Sequence, residues 1–368
     1  MFELLSRLDT AADKIETIAS EFEIDLTTAY RAVKPLQEWN LITSSEGGIY
    51  ETTGLGTVVR THFETTIESV SSSLRMAALS YLLGASSRSM ILTTLSQSPA
   101  DKAMLADGPG TLSRSTIHRA ISGLTEHGLI VRQQATGRYV STERGRSVLT
   151  AYEKLIDGVA IARRHTVFFC CCDKRIADIP VLGLRNAEQV IDLETAPDRT
   201  MAVLETLVDD GITEFRGVQS HVSTRLADIF DPVIRSDAPV ELLLTPRVFT
   251  ELPTTGRYRE NVRRGLQATN VAVRIVPDIE AFPFGLAIIN NDTVTLGPAH
   301  VGMAFDTPDG RRSESLVCRD PVIVDWAEGV YREYRTQSRA PLEQLIQILL
   351  DHISRNVPLT DSGPDSEV

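Results

Sequence analysis

Two stretches of the chain share one pattern of apolar and polar positions. In the first, Ala29, Ala32, Val33 and Leu36 are apolar or small, and Thr27, Thr28, Tyr30, Arg31 and Lys34 lie between them. In the second, Ile117, Ala120, Ile121 and Leu124 recur at the same i, i+3, i+4, i+7 spacing among Arg114, Ser115, Thr116, His118, Arg119 and Ser122. That spacing predicts two helices, each with one buried and one polar face.

The two helices are copies of one another. Thr28, Arg31, Ala32, Leu36, Glu38, Leu41 and Ile42 match Thr116, Arg119, Ala120, Leu124, Glu126, Leu129 and Ile130 at a constant offset of 88 residues. After one extra residue, Tyr50, Thr53 and Gly56 match Tyr139, Thr142 and Gly145. Asp25 and Ser113 are residue types that cap a helix start, and Asn40 and Gly128 suit a left-handed helix end. Leu41-Ile42, Gly47-Gly48 and Ile49-Tyr50 predict a short hairpin, repeated by Ile130-Val131, Gly137 and Tyr139-Val140. Upstream helices are expected over residues 2–8 and 11–22, and again over 86–96 and 99–107. Three helices followed by a two-stranded wing predict tandem winged helix-turn-helix domains over 1–60 and 86–150, whose third helix enters the major groove. Residues 61–85 form a linker helix on this reading, because Val59, Phe63, Ile67, Val70 and Leu74 recur every three or four positions. A packed inter-domain helix and a dimer-forming helix both satisfy that stripe.

Beyond residue 150 the pattern changes. Strands are expected at 167–172, 215–222, 240–244, 271–276, 284–290, 293–296 and 315–318, with helices at 223–235, 258–268 and 321–338. The alternation predicts a mixed α/β domain over 165–338, so the fold class is α+β. An apolar stripe of Leu342, Leu345, Ile346, Leu349 and Ile353 predicts a docking helix over 341–353, followed by a flexible tail at 354–368.

At 368 residues the chain is long enough for two or three domains. Its apolar runs are short and its start lacks a signal-peptide pattern, so a cytoplasmic protein with no membrane partner is expected. The net charge is −12, from 49 acidic residues against 37 basic ones, and only five of the latter are Lys. Acidic excess with scarce Lys suits a cytoplasm of high salt. Divided by region, the charge changes the picture. Residues 1–60 hold ten acids and five bases, whereas 86–150 hold four acids and eight bases. The second copy is therefore locally basic, and local Lys and Arg are what bind phosphate. Arg132 and Arg138 fall on its wing, with Arg144 and Arg146 just beyond. Double-stranded DNA is the expected partner, with the second copy supplying most of the affinity. For Thr27, Thr28, Tyr30, Arg31 and Lys34 in the first copy, DNA contact and a scaffolding role both remain open, and winged helices docking protein partners are the alternative for the whole chain.

No catalytic residues, metal ligands or cofactor are expected. Phosphate-loop, nucleophile-elbow and zinc-helix motifs are absent from the sequence. Cys170, Cys171, Cys172 and Cys318 show no metal or disulfide spacing. They suit small buried positions on a strand, with a thiol sensor as the alternative. His221 at a strand end suits a turn or the core, and Asp306–Asp309 near Arg311 and Arg312 a solvated hairpin.

Several stretches of the C-terminal half occur in a telling order. Cys170-Cys171-Cys172-Asp173 precedes Ile176-Ala177-Asp178-Ile179-Pro180; Val240-Glu241-Leu242-Leu243-Leu244-Thr245-Pro246 precedes Phe284-Gly285-Leu286-Ala287-Ile288; Asp325-Trp326-Ala327 precedes Tyr331-Arg332-Glu333-Tyr334-Arg335. Behind a winged helix, residues 165–338 thus resemble archaeal transcription regulators of the methanogenesis and filamentation regulator type, acidic Arg-rich members of which occur in halophilic archaea. The resemblance implies a DNA-binding N-terminus, a C-terminal domain for sensing a small-molecule effector or for assembly, and no catalytic residues; a homodimer is expected besides, presenting two recognition helices to a pseudo-palindromic site. The sheet order is also similar to half of a phospholipase D-like fold. That chemistry needs His-x-Lys, and Ser223 stands where the Lys after His221 would be, so a non-catalytic half-fold is expected.

Overall fold

The computed structural model describes residues 2–45, 47–69, 73–107, 112–193, 199–220, 224–235, 237–251, 268–277, 279, 282–298, 305–307 and 310–342. The chain divides into two compact units, Met1–Thr166 and Val167–Val368.

The first unit holds the repeat. Copy one runs α1 (Phe2–Thr10), β1 (Asp13–Lys14), α2 (Ile15–Glu21), α3 (Leu26–Glu38), β2 (Ile42–Ser44), β3 (Ile49–Thr52) and α4 (Gly54–Ser69). Then come α5 (Ser73–Leu83), α6 (Ser86–Gln97), α7 (Lys102–Ala106), α8 (Arg114–Glu126), β4 (Ile130–Arg132), β5 (Tyr139–Ser141) and α9 (Glu143–Arg164). The apolar stripes predicted from spacing are the buried ones: Ala29, Val33 and Leu36 in α3, and Ile117, Ala120, Ile121 and Leu124 in α8. Each Val, Leu or Ile among them contributes about 1.5–3 kcal/mol when fully removed from water.

The copies agree down to single hydrogen bonds. Each helix end turns through a left-handed residue, Asn40 at φ 56° and Gly128 at φ 67°. The next amide closes the turn, Leu41 N onto Leu36 O at 2.9 Å and Leu129 N onto Leu124 O at 2.8 Å. A threonine then ties the hairpin back: Thr53 Oγ1 donates to Asn40 O at 2.6 Å, and Thr142 Oγ1 to Gly128 O at 2.8 Å. The same hydroxyls accept from Gly56 N (3.1 Å) and Gly145 N (2.9 Å). A Cβ on either glycine would lie 2.0 Å from a carbonyl oxygen, of Leu41 or of Leu129. The repeated Thr-x-x-Gly is thus the clasp that seats the following helix against the end of α3 or α8. Each hairpin also gains a third strand position, Asp13 against Tyr50 and Ala100 against Tyr139.

The expected single linker helix is two helices, with residues 70–72 outside the described set. α4 begins at Gly54, before the expected boundary at 60, because the clasp starts it. α5 belongs to the second copy: Ala78, Leu79 and Leu82 are buried in one cluster with Ile91, Leu92, Ile117, Ile121 and Leu124. α9 runs unbroken across residue 150 to Arg164. It packs on α4, where His62 Nε2 lies 3.0 Å from Lys154 O and a Cβ at Gly158 would meet the His62 ring at 2.0 Å. Burial pushes the His62 imidazole down, towards its neutral form.

The second unit is a mixed sheet with helices. Its elements are α10 (Thr166–Cys170), β6 (Glu188–Leu193), α11 (Arg199–Asp209), β7 (Phe215–Gln219), α12 (Thr224–Arg235), β8 (Val240–Leu244), α13 (Pro246–Glu251), β9 (Val271–Ile275), β10 (Gly285–Ile289), β11 (Thr293–Gly297), β12 (Phe305–Thr307), β13 (Gly310–Cys318) and α14 (Pro321–Gln337). The strand order is β12-β13-β11-β10-β7-β8-β9, with β6 paired to β13. β7, β8 and β9 are parallel; β10 pairs antiparallel with β7. α14 lies on the sheet through Ile323, Val324, Ala327 and Tyr331.

The expected strand at 167–172 is instead the helix α10 and a following turn. A short continuous apolar run has no period that separates strand from buried helix. Phe168 and Phe169 are fully buried, and Phe168 N donates to the buried Glu314 carboxylate at 3.1 Å. β7 ends at Gln219, short of 222. β6, α11 and β12 were not expected from the sequence. The helix expected at 258–268 falls, apart from its last residue, outside the described residues, as do His221, Ser223, most of 341–353 and the tail 354–368.

Candidate nucleic-acid interface

α8 starts at Ser113, whose hydroxyl accepts from Thr116 N at 3.1 Å and lies 2.9 Å from the hydroxyls of both Ser115 and Thr116. The cap is neutral, so the positive end of the helix dipole stays available to an anion. Arg114, Ser115, His118 and Arg119 are exposed and Thr116 is half-buried, on the side opposite Ile117, Ile121 and Leu124. Arg132 ends β4 and Arg138 immediately precedes β5, so both lie at the turn of the hairpin, and both are exposed. The wing turn is held by Gln133 N onto Arg138 O (2.8 Å) and by Gly137 at φ 70°. Arg132 Nε donates to Gly137 O at 2.9 Å, so one guanidinium braces the turn it would present. Arg146 Nη1 donates to Ser141 O at 3.1 Å and is a bracing residue by the same argument.

The two copies differ in how their cations are used. In copy one, Arg7 is bonded to Asp13 (2.9 Å) and Glu21 (2.6 Å), Arg60 to Asp9 (2.9 Å) and Glu64, and Lys34 lies 3.8 Å from Glu38. Among the described residues, Arg114, Arg119, Arg132 and Arg138 of copy two form no ion pair. The α3 cap is Asp25, which accepts from Thr28 N (2.9 Å) and Thr28 Oγ1 (2.7 Å); those bonds hold its carboxyl below the usual range. A carboxylate therefore sits at the end of α3 where α8 has a hydroxyl, and Thr28 is committed to it. Thr27, Tyr30, Arg31 and Lys34 are exposed on α3. The 88- and 89-residue offsets further set Leu26 against Arg114, Ser44 against Arg132 and Ile49 against Arg138. That contrast is legible in the repeat itself.

The cysteines belong to the second unit. Burial pushes the Cys171 thiol up to about 11, with a further push from the Glu314 charge, and Cys318 up to about 12; fully buried Cys172 lies well above its ordinary 9.0. Folded thiols thus keep their protons where unfolded ones lose them. Their stabilising effect is complete below pH 9 and is lost as pH rises through the 9-to-12 window. Iodoacetamide at pH 8 should spare Cys171, Cys172 and Cys318 in the folded chain and label them in urea; rapid labelling without urea would contradict the assignment. His165 is fully buried. Among the described residues no group of three or more His, Cys, Asp or Glu side chains could hold a metal ion, and no helix is long and apolar enough to cross a membrane.

Residues 76–164 match the HVO_A0261 N-terminal domain family, which spans α5 to α9. Residues 197–337 match the middle domain of the methanogenesis regulatory protein FilR1. A histidine utilization repressor of Pseudomonas putida is 45% identical over 53 residues, 14% of this chain and 21% of the repressor, so the match spans about a fifth of that protein. Among solved structures, the archaeal chromatin protein TrmBL2 aligns with 68% of this chain and 91% of its own at 11% identity and a TM-score of 0.31. Nuc of Salmonella typhimurium, a phospholipase D family member, aligns with 42% of this chain and 97% of its own at 12% identity and a TM-score of 0.32. Structural likenesses this distant carry neither fold nor chemistry across. The two family matches together take in most of the chain, and they bear out its resemblance to archaeal regulators of the methanogenesis-regulator type.

Proposed function

We propose that the protein is a sequence-specific DNA-binding transcriptional regulator. On this reading both copies are winged helix-turn-helix modules, the second supplies the DNA affinity, and the chain works as a homodimer. The observation that carries it is the exposed face of Arg114, Arg119, Arg132 and Arg138, which form no ion pair among the described residues and spread over a helix and its wing. α8 enters the major groove, where Arg119 and His118 reach base edges. Ser115, Thr116 and the helix start hold a phosphate, and Arg114, Arg132 and Arg138 contact the backbone on either side. The C-terminal unit is a non-catalytic phospholipase D-like half-fold that senses a small-molecule effector or supports assembly. Ser223 in place of a lysine supports a role without catalysis.

The test is a fluorescence-anisotropy titration of duplex DNA at several salt concentrations. Three phosphate-neutralising arginines predict a log–log slope of about −3 for each bound second module. Binding that is absent, or present but indifferent to salt, would favour winged helices that dock protein partners instead.

A further inference from the structure

We propose that Tyr81 of α5 is the positioning residue of α8: its ring, seated in a notch at Gly123, fixes the roll of the helix and so where Arg119 meets a base edge. The inference rests on the DNA-reading role of α8 and adds a residue, outside the exposed face, on which sequence discrimination depends.

Glycine is a poor residue for a helix interior, yet Gly123 stands inside α8. Tyr81 is the reason. A Cβ at Gly123 would lie 2.1 Å from the Tyr81 hydroxyl, 2.4 Å from its Cζ and 2.8 Å from its Cε2. The ring lies along one stripe of α8. Its hydroxyl is 3.5 Å from Ala120 O, and its centroid is 4.7 Å from that of the His127 ring. Ala120, Gly123 and His127 are spaced i, i+3, i+7, so the tyrosine touches two turns of the helix. Gly123 also lies four residues beyond Arg119, on the same side and one turn away. The notch therefore borders the exposed arginine face.

The tyrosine is itself held. The Arg88 guanidinium of α6 stacks 4.1 Å from the ring centroid, and its Nη1 donates to Tyr81 O at 2.6 Å. Ala78, Leu79 and Leu82 of α5 are buried in the core under α8, which fixes the helix that carries Tyr81. Burial pushes the Tyr81 phenol up, with Arg88 opposing and Glu126 adding to the push, so the ring enters the notch uncharged.

The internal repeat separates this contact from what a recognition helix needs in order to pack. In the first copy Pro35 stands in the place of Gly123 and Trp39 in the place of His127. The proline ring fills the side of α3 that Gly123 leaves open on α8. Trp39 is 46% exposed, with the Arg163 guanidinium 4.5 Å from its ring. α3 thus buries Ala29, Val33 and Leu36 without a notch, and the notch belongs to the copy whose helix carries the arginine face.

Anisotropy of the full chain tests the proposal, with a duplex selected by the wild type from a random pool and with its scrambled version. The readout is the ratio of the two affinities, measured well below the thermal transition. Loss of folded protein lowers both affinities alike and leaves the ratio unchanged, whereas a rolled α8 lowers the ratio. Tyr81→Leu should lower it about tenfold, with scrambled-duplex affinity within about twofold of wild type, because long arginine side chains still reach phosphate. Tyr81→Phe keeps the ring and should keep the ratio. Gly123→Ala should lower the ratio by a similar factor, so the result does not hang on one variant. Joined with Tyr81→Leu, it should restore the ratio at least about threefold over either single change, since the new methyl enters space the ring has left. A Tyr81→Leu protein that discriminates like the wild type overturns the proposal, as does one whose two affinities fall by the same factor, or a double variant whose losses simply multiply. A wild type with no preference among duplexes fails the DNA-reading role itself. A discriminating wild type beside an equally discriminating Tyr81→Leu fails this inference alone.

Discussion

Arg119→Ala is expected to weaken binding of a selected duplex site about ten- to hundredfold, whereas Arg31→Ala, the matched change in the first copy, costs less than about twofold. The two arginines occupy equivalent exposed positions on α8 and α3, so helix propensity and exposure do not separate them. Their surroundings do. α8 begins at an uncharged cap and has two exposed wing arginines beside it, whereas α3 begins at Asp25 and has Ser44 and Ile49 at the wing positions. A guanidinium that meets a base edge bidentately is worth about 1–3 kcal/mol of discrimination, so Arg119→Ala should also relax sequence preference. Arg138→Ala should act differently. It removes one phosphate contact, weakens all sequences alike and lowers the salt slope by about one. Anisotropy with site and scrambled duplexes at two salt concentrations separates these behaviours. A larger loss for Arg31→Ala than for Arg119→Ala would reverse the assignment of the two copies.

The repeat was the most legible feature of the chain, because each copy imposes the same constraints on it. A helical apolar stripe, a cap, a left-handed end and a Thr-x-x-Gly clasp recur at one offset, and coincidence at that many positions is itself a signal. Element boundaries were less legible. α5 looked like linker because nothing in residues 73–83 shows that Ala78, Leu79 and Leu82 close the core beneath α8. Gly123 marks the place: Tyr81 packs so closely that a Cβ there would lie 2.1 Å from its hydroxyl. A glycine in a helix interior suggests close approach without naming what approaches. In the second unit the run at 167–170 is helical because Glu314, distant in sequence, accepts from Phe168 N and from Gln189 Nε2 (2.7 Å). Such a tertiary constraint has no local pattern. That Arg114, Arg119, Arg132 and Arg138 stand outside ion pairs was half visible, since regional charge showed the excess, but only the structure shows that the first-copy bases Arg7 and Arg60 are already paired.

Gly145→Ala should be the most destabilising single-methyl change in the second copy, at about 2–4 kcal/mol, although alanine is the better helix former by about 1 kcal/mol. The added Cβ would lie 2.0 Å from Leu129 O and 2.9 Å from Leu129 C, a contact with backbone that no rotamer relieves. Leu129 O already accepts from Thr142 N (2.9 Å) and Thr142 Oγ1 (3.2 Å), so displacing it strains both bonds of the clasp. Displacing α9 instead uncovers Val148 and Leu149, which belong to the core under α8. Gly56→Ala meets Leu41 O at 2.0 Å and Thr52 Cγ2 at 2.7 Å, and should cost the first copy a similar amount. Gly329→Ala in α14 is the control: it is exposed, has nothing within 4 Å of the new methyl, and should stabilise by up to about 1 kcal/mol. Calorimetry of the full chain reads all three. Gly145→Ala should lower the transition that includes α8 by roughly 4 °C or more, on the scale of about 2–4 °C per kcal/mol for a unit of this size. Duplex affinity measured well below that transition should fall too, since the clasp fixes the wing relative to α8. A Gly145→Ala protein that melts with the wild type would show that Leu129 O yields freely, and the clasp would then be a consequence of the packing rather than its support.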